Sequence, residues 1–115
     1  MKMNVTRAVI ITSGLLVVMG LFCPASIWAA DADAGQAVFA KKCRTCHGKE
    51  GQGNPGMAKV LKVEIKHLGS ADVQGKTDDE LAKTITEGVG KMKPAKGLSA
   101  DDVTNIIAFV RTIKE

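Results

Sequence analysis

The stretch Cys43-Arg44-Thr45-Cys46-His47 decides how the rest of the chain is read. Two thiols three residues apart, with an imidazole next along the backbone, form the attachment signature of c-type haem. On one turn of helix each thiol can add across a haem vinyl group to give a thioether. His47 then points its imidazole at the iron. Three other uses of the motif fit less well. A thioredoxin-like C-x-x-C needs a strand before it and alternating β and α elements after it, and the pattern supplies neither. A zinc site needs a second ligand pair, whereas the remaining cysteine is Cys23 in an apolar N-terminal segment and the remaining histidine is His67. A disulfide from Cys43 to Cys46 would close a very tight, strained loop and leave His47 without a purpose.

Working outward, the N-terminal side carries an export signal. Lys2 and Arg7 make a basic start, residues 8–22 run without a charge, and Pro24, Ala25 and Ser26 lead to small residues at 29, 30 and 32. That order is a secretory signal peptide over residues 1–30, with cleavage between Ala30 and Asp33 and a haem-binding domain over 31–115. A retained anchor is disfavoured because the run falls short of the ~20 residues that cross a bilayer as a helix. Lipidation at Cys23 is disfavoured by the bulky Phe22 before it. The domain is therefore expected in the periplasm, with no stable membrane insertion after signal removal.

Composition sets further bounds. Removing the signal takes Lys and Arg from 16 to 14 while all 12 acids remain, so the net charge falls from +4 to +2. Two haem propionates would cancel it, and no basic patch interleaved with aromatics points to nucleic acid. The remaining aromatics are Phe39 and Phe109, with no Tyr in the chain. A domain of about 85 residues buries only about 60 to 65% of its unfolded surface and usually needs a staple, which a covalent porphyrin would provide.

Along the domain, Asp33 and Gln36 read as a capping box opening a helix that delivers the haem motif. Five Gly and Pro positions in residues 48–56 predict a loop, whose Asn54-Pro55 region is a candidate acceptor for the His47 Nδ1 proton. Leu61, Val63 and Ile65 alternate with Lys62, Glu64 and Lys66, which is a strand pattern without a partner. We therefore expect an extended or loosely helical stretch laying apolar side chains over the haem face. Ser70 caps a short turn through Val73. Thr77 and Glu80 form a capping box for a helix bearing Leu81 and Ile85 on one face and stopping at Gly88. Residues 88–97 form a loop. Ser99 then caps a last helix, with Asp101 and Asp102 in its first turn and a buried stripe of Val103, Ile106, Ile107, Val110 and Ile113.

A donor opposite His47 can come from Met57, Met92 or His67. Met92 is preferred: a methionine between Lys91 and Lys93 makes a poor core residue, and a Pro-bearing loop can hold its thioether inward. Met57 reads as packing at the haem edge and His67 as an exposed histidine.

With these residues in place the chain resembles the class I cytochromes c of the small soluble bacterial kind. The matching residues are Gly35 and Phe39, Cys43-Arg44-Thr45-Cys46-His47-Gly48, Gly88-Val89-Gly90-Lys91-Met92, Leu98-Ser99-Ala100-Asp101-Asp102, and Ala108-Phe109-Val110-Arg111. The resemblance implies an all-α cytochrome c fold of three to five short helices around one covalent haem c. It implies first and last helices crossing at Gly35 and Phe109, and axial ligation by His47 and Met92. Two departures stand out: Lys93 separates Met92 from Pro94, and Phe109 stands where Tyr or Trp is usual.

With both axial positions filled, iron can only change oxidation state. The expected function is one-electron transfer by a monomer between redox protein partners, docking near Lys91, Lys93 and Lys96. The alternatives are a fixed haem subunit of a larger dehydrogenase or oxidase complex, and a five-coordinate haem sensor or peroxidase-like enzyme.

Overall fold

Four of the helices begin where a short polar side chain, Asp31, Asn54, Thr77 or Ser99, covers free N–H groups of the first turn. The computed structural model describes residues 29–115, so the proposed signal segment lies almost entirely outside the described residues. Among these residues there are six helices and no strand: α1 (Ala32–Lys42), α2 (Arg44–His47), α3 (Pro55–Leu61), α4 (Ala71–Gln74), α5 (Asp78–Glu87) and α6 (Ala100–Thr112). The number exceeds the expected three to five because α2 and α4 are single turns of four residues. None of these helices is long and apolar enough to cross a membrane.

The caps of α5 and α6 follow the sequence. Thr77 and Glu80 exchange side-chain and backbone bonds at 2.7 and 3.2 Å, and Ser99 and Asp102 do so at 2.9 and 3.0 Å. The backbone N–H groups of Thr77 and Ser99 hold the Glu80 and Asp102 carboxyls below their ordinary range. The cap of α1 differs from expectation. Asp31, not Asp33, accepts from Asp33 N and Ala34 N at 2.9 and 3.1 Å. Asp31 N also donates to Asn105 Oδ1 at 2.8 Å, so this choice of cap fastens the start of α1 to α6. Ser70 precedes α4 as expected but makes no side-chain cap, and its hydroxyl is buried without a partner.

The core lies between α1, α5 and α6. Phe39, Leu81, Ile85, Val103, Ile106, Ile107, Phe109, Val110 and Ile113 are all buried, and among the described residues no polar side chain joins them. The crossing of α1 on α6 is closest at Gly35. A Cβ built there would stand 1.8 Å from the Asn105 carbonyl oxygen and 2.9 Å from Ile106 N. The expected partner, Phe109, lies a turn further on and packs on Phe39 with ring centroids 5.1 Å apart. Backbone meets backbone where a side chain is missing, and ring meets ring one turn along.

Arg111 locks the far end of α6. Its guanidinium donates to Asp78 Oδ1 and to the carbonyls of Gln74 and Lys76, while Gln74 Nε2 donates to the Leu68 and Val110 carbonyls. The alternating stretch starts at the last residue of α3, passes through Lys62 and continues as irregular chain that pairs with no strand. Leu61, Val63 and Ile65 are half-buried and Lys62, Glu64 and Lys66 exposed. Its hold is on the glycine loop: Leu68 N donates to Gly51 O at 2.8 Å, and a Cβ on Gly53 would stand 2.7 Å from Ile65 O. Lys66 also pairs with Asp72 at the surface.

The end of α3 stores strain. Lys62 caps it at φ +55°, in the left-handed region, and donates back to the Ala58 and Lys59 carbonyls. A side chain there costs about 1–2 kcal/mol, less the extra freedom glycine loses on folding. Lys62→Gly is therefore expected to stabilise the haem-loaded protein by about 0.5–1 kcal/mol, read as a raised denaturant midpoint at unchanged slope.

Candidate functional site

The motif residues sit on one turn, delivered by α1. Cys43 closes α1, its N–H donating to Phe39 O at 2.8 Å, and the chain turns at once into α2, where His47 N donates to Cys43 O at 3.0 Å. Cys43, Cys46 and His47 are all half-buried, and neither cysteine is in a disulfide. Gly48 then leaves the helix at φ +79°.

A four-residue helix leaves its carbonyls without intrahelical partners, and the following loop supplies them. Gly53 N donates to His47 O at 2.7 Å, Asn54 N to Cys46 O at 2.9 Å, and Asn54 Nδ2 to Thr45 O at 2.9 Å. Asn54 Oδ1 in turn accepts from Gly56 N and Met57 N and opens α3, with Pro55 in its first turn. One side chain thus closes α2 and starts α3. The loop expected over residues 48–56 gives way to this helix at Pro55. Its signal was present as Asn-Pro, an N-cap residue followed by a first-turn proline.

Environment sets the chemistry of the turn. Burial pushes the Cys43 thiol up to about 11, with the neighbouring Cys46 adding to the shift. Burial also holds the His47 imidazole below its ordinary value, so it stays neutral at neutral pH with a ring nitrogen free to bind a metal. The His47 ring lies 6.4 Å from that of Phe39. Its Nδ1 is buried and has no hydrogen-bond partner, so the expected acceptor in the Asn54-Pro55 region does not engage it. That region holds the motif through its backbone carbonyls.

Met92 lies in a tight reversal after α5. Val89 and Met92 exchange backbone bonds at 2.9 Å each across Gly90 and Lys91, and Ala95 N donates to Ile85 O at 2.9 Å. A Cβ on Gly88 would stand 2.4 Å from Met92 O, so the glycine lets this loop fold back on the end of α5. Met92 is half-buried between exposed Lys91 and Lys93. Ala95 and Leu98 beyond it pack on the same core as Cys43. Met57 is half-buried in the first turn of α3. His67 is also half-buried, not exposed as expected, and its Nδ1 accepts from Gly69 N at 2.9 Å.

These residues fit a covalent haem. Two uncommitted thiols stand three residues apart with a neutral imidazole beside them. Met57, Leu61, Val63, Ile65 and Met92 are apolar and half-buried, and none joins the buried core cluster.

Fold and motif together define a class I c-type cytochrome. The chain belongs to the family described as cytochrome c oxidase, cbb3-type, subunit III, whose model matches residues 30–110. It is 33% identical over 92 residues to cytochrome c-554(547) of Halothiobacillus neapolitanus, covering 75% of this chain and all of that protein. It is 37% identical over 89 residues to cytochrome c6 of a Picosynechococcus species, covering 72% and 74% of the two chains. The cbb3-type cytochrome c oxidase subunit CcoP of Rubrivivax gelatinosus is 31% identical over 96 residues, 78% of this chain but 29% of that subunit. Among solved structures, the KustC0563 c-type cytochrome matches with a TM-score of 0.61 and 26% identity, over 70% of this chain and 98% of the other. Membership makes this a haem-based electron-transfer protein rather than an enzyme.

Proposed function

We propose that the chain is a periplasmic one-electron carrier with a single haem c, bound through Cys43 and Cys46 and ligated axially by His47 and Met92. The observation that carries this is the α2 turn itself: two free, half-buried thiols and a neutral imidazole held by three bonds from Gly53 and Asn54. The bound haem would supply a one-electron couple at its iron. His47 offers its neutral ring because burial disfavours the imidazolium. Met57, Leu61, Val63 and Ile65, apolar and half-buried, would keep water from the haem, and a thioether donor from Met92 would favour the reduced state. Residues 1–30 are read as a cleaved export signal and 31–115 as the haem domain.

Lys91, Lys93 and Lys96 are exposed around the Met92 loop, and donor and acceptor proteins are proposed to dock there on a monomer. A second reading is favoured by the family description and by the CcoP match: a haem subunit of a larger oxidase complex. A stoichiometric partner retained after mild extraction would select it over the free carrier.

Optical spectra test the ligand set. The purified protein should give a c-type ferrous spectrum, a weak far-red ferric band from sulfur ligation, and no response to carbon monoxide. Met92→Ala should keep the covalent haem, lose the far-red band and bind carbon monoxide. An unchanged Met92→Ala spectrum would remove Met92 from the site, and a wild-type protein without haem would overturn the proposal.

A further inference from the structure

Gly88 does more than end α5. Its N–H donates to Thr84 O at 2.9 Å and its backbone turns out of the helix at φ +75°. The chain that follows then folds back over it. A Cβ built on Gly88 would overlap the Met92 carbonyl oxygen and stand 2.9 Å from both Pro94 N and Pro94 Cδ. Met92, Lys93 and Pro94 thus bend across one bare Cα. Hydrogen bonds hold them there: Val89 and Met92 exchange backbone bonds at 2.9 Å, and Ala95 N donates to Ile85 O at 2.9 Å. Met92 is half-buried in this seat while Lys91 and Lys93 on either side are exposed.

Gly90, in the same reversal, separates two reasons for a glycine. Its φ is also positive, +55°, but a Cβ there would meet nothing within 4 Å. Backbone freedom is all that Gly90 supplies. Gly88 supplies that and room for the Met92 carbonyl as well. A methyl group at Gly88 presses on backbone, which cannot rotate aside, so relief comes only by lifting Met92 away from α5. A ligating side chain has to be held within about 0.5 Å of its working position, and a shift of its own backbone passes directly to its donor atom.

We propose that Gly88 is a positioning residue for the second axial ligand: its missing side chain is the seat that sets the Met92 backbone, and through it the sulfur offered opposite His47. This rests on the reading of Met92 as a ligand.

The test is a double-mutant cycle on the haem-loaded protein, with Gly88→Ala, Met92→Ala and the two together, and with Gly90→Ala as the control for left-handed backbone. The far-red ferric band and the carbon monoxide affinity of the ferrous protein are read, while circular dichroism and urea melting follow the fold. Gly88→Ala should keep covalent haem and helix content, lose most of the far-red band and bind carbon monoxide at least about tenfold more tightly, as the open fraction rises. Added to Met92→Ala, the same substitution should change that affinity by less than about twofold, because the residue it acts through is gone. Gly90→Ala should keep the band and stay within about threefold of wild type. Equal losses at the two glycines would assign the effect to backbone conformation, and an equal effect of Gly88→Ala with and without Met92 would show that it acts elsewhere. Collapse of the fold in Gly88→Ala would make the glycine a residue of stability alone. Each of these overturns the proposal, as does an unchanged Gly88→Ala spectrum beside an altered Met92→Ala spectrum. An unchanged Met92→Ala spectrum would instead refute the ligand reading, and the seat would fall with it.

Discussion

Gly35→Ala is expected to destabilise the haem-loaded protein by about 2–3 kcal/mol. One methyl group causes this because it has nowhere to go. Its Cβ would sit 1.8 Å from the Asn105 carbonyl oxygen and 2.3 Å from the carbonyl carbon, both backbone atoms of α6. Backbone cannot rotate aside as a side-chain end can, so α1 and α6 must separate. That movement loosens the contacts of Phe39 with Phe109 and of the fully buried Ile106. Overpacking costs about 1–3 kcal/mol and more where backbone must move; a cost of about 3–4 kcal/mol here, less about 1 kcal/mol from better helix propensity, leaves the 2–3 kcal/mol expected. The bond from Asp31 N to Asn105 Oδ1 would be lost with the separation. Thermal melting of wild type and variant, both with haem, measures the difference. An unchanged melting temperature would mean that the helices slide rather than part, and that the close approach contributes little.

The double substitution of Cys43→Ser and Cys46→Ser is expected to have the larger effect. Covalent haem should be absent, shown by loss of haem peroxidase staining on a denaturing gel. Cooperative melting should be lost with it. The reason lies in what the described residues bury by themselves: nine apolar side chains, all but two of them aliphatic, contributed by α1, α5, α6 and the residue after α6. The segment from α2 to α4 adds none to that core, and Met57, Leu61, Val63 and Ile65 remain half-buried. A domain this small sits close to the limit at which a core suffices without a staple. A variant without haem that still melts cooperatively near the wild-type temperature would show that the α1–α5–α6 core is enough.

The sequence was most legible where physics is local. Thr77 with Glu80 and Ser99 with Asp102 lie three residues apart, within reach of each other's backbone whatever surrounds them, and both capping boxes appear as expected. The apolar stripe of α6 was equally plain, since its period is that of the helix. Pattern also ruled against a strand at residues 61–66: the alternation of exposure is real, but no second strand was available to pair with it. Misreadings fell where several residues could serve one role. Asp31 and Asp33 are both good caps, and the choice went to Asp31 because its N–H also reaches Asn105, a contact no local window reveals. A lysine neighbour suggests an exposed His67, yet its ring is half-buried and accepts from Gly69 N. α3 was hidden by the glycines around it, although Asn54 and Pro55 announced its start.

By itself the sequence determined where three chemically capable side chains stand together. Cys43, Cys46 and His47 fall on one turn by covalent spacing alone, and family membership supplies the haem for which we propose them as the attachment. Tertiary structure alone decided what holds and surrounds the turn. The carbonyls of α2 are taken by Gly53 and Asn54, and Gly35 meets Asn105 rather than Phe109. Each of these is a contact between segments whose separation along the chain carries no periodic signal. Such contacts are selected by which backbone groups still lack a partner and which positions lack a side chain once the helices have packed.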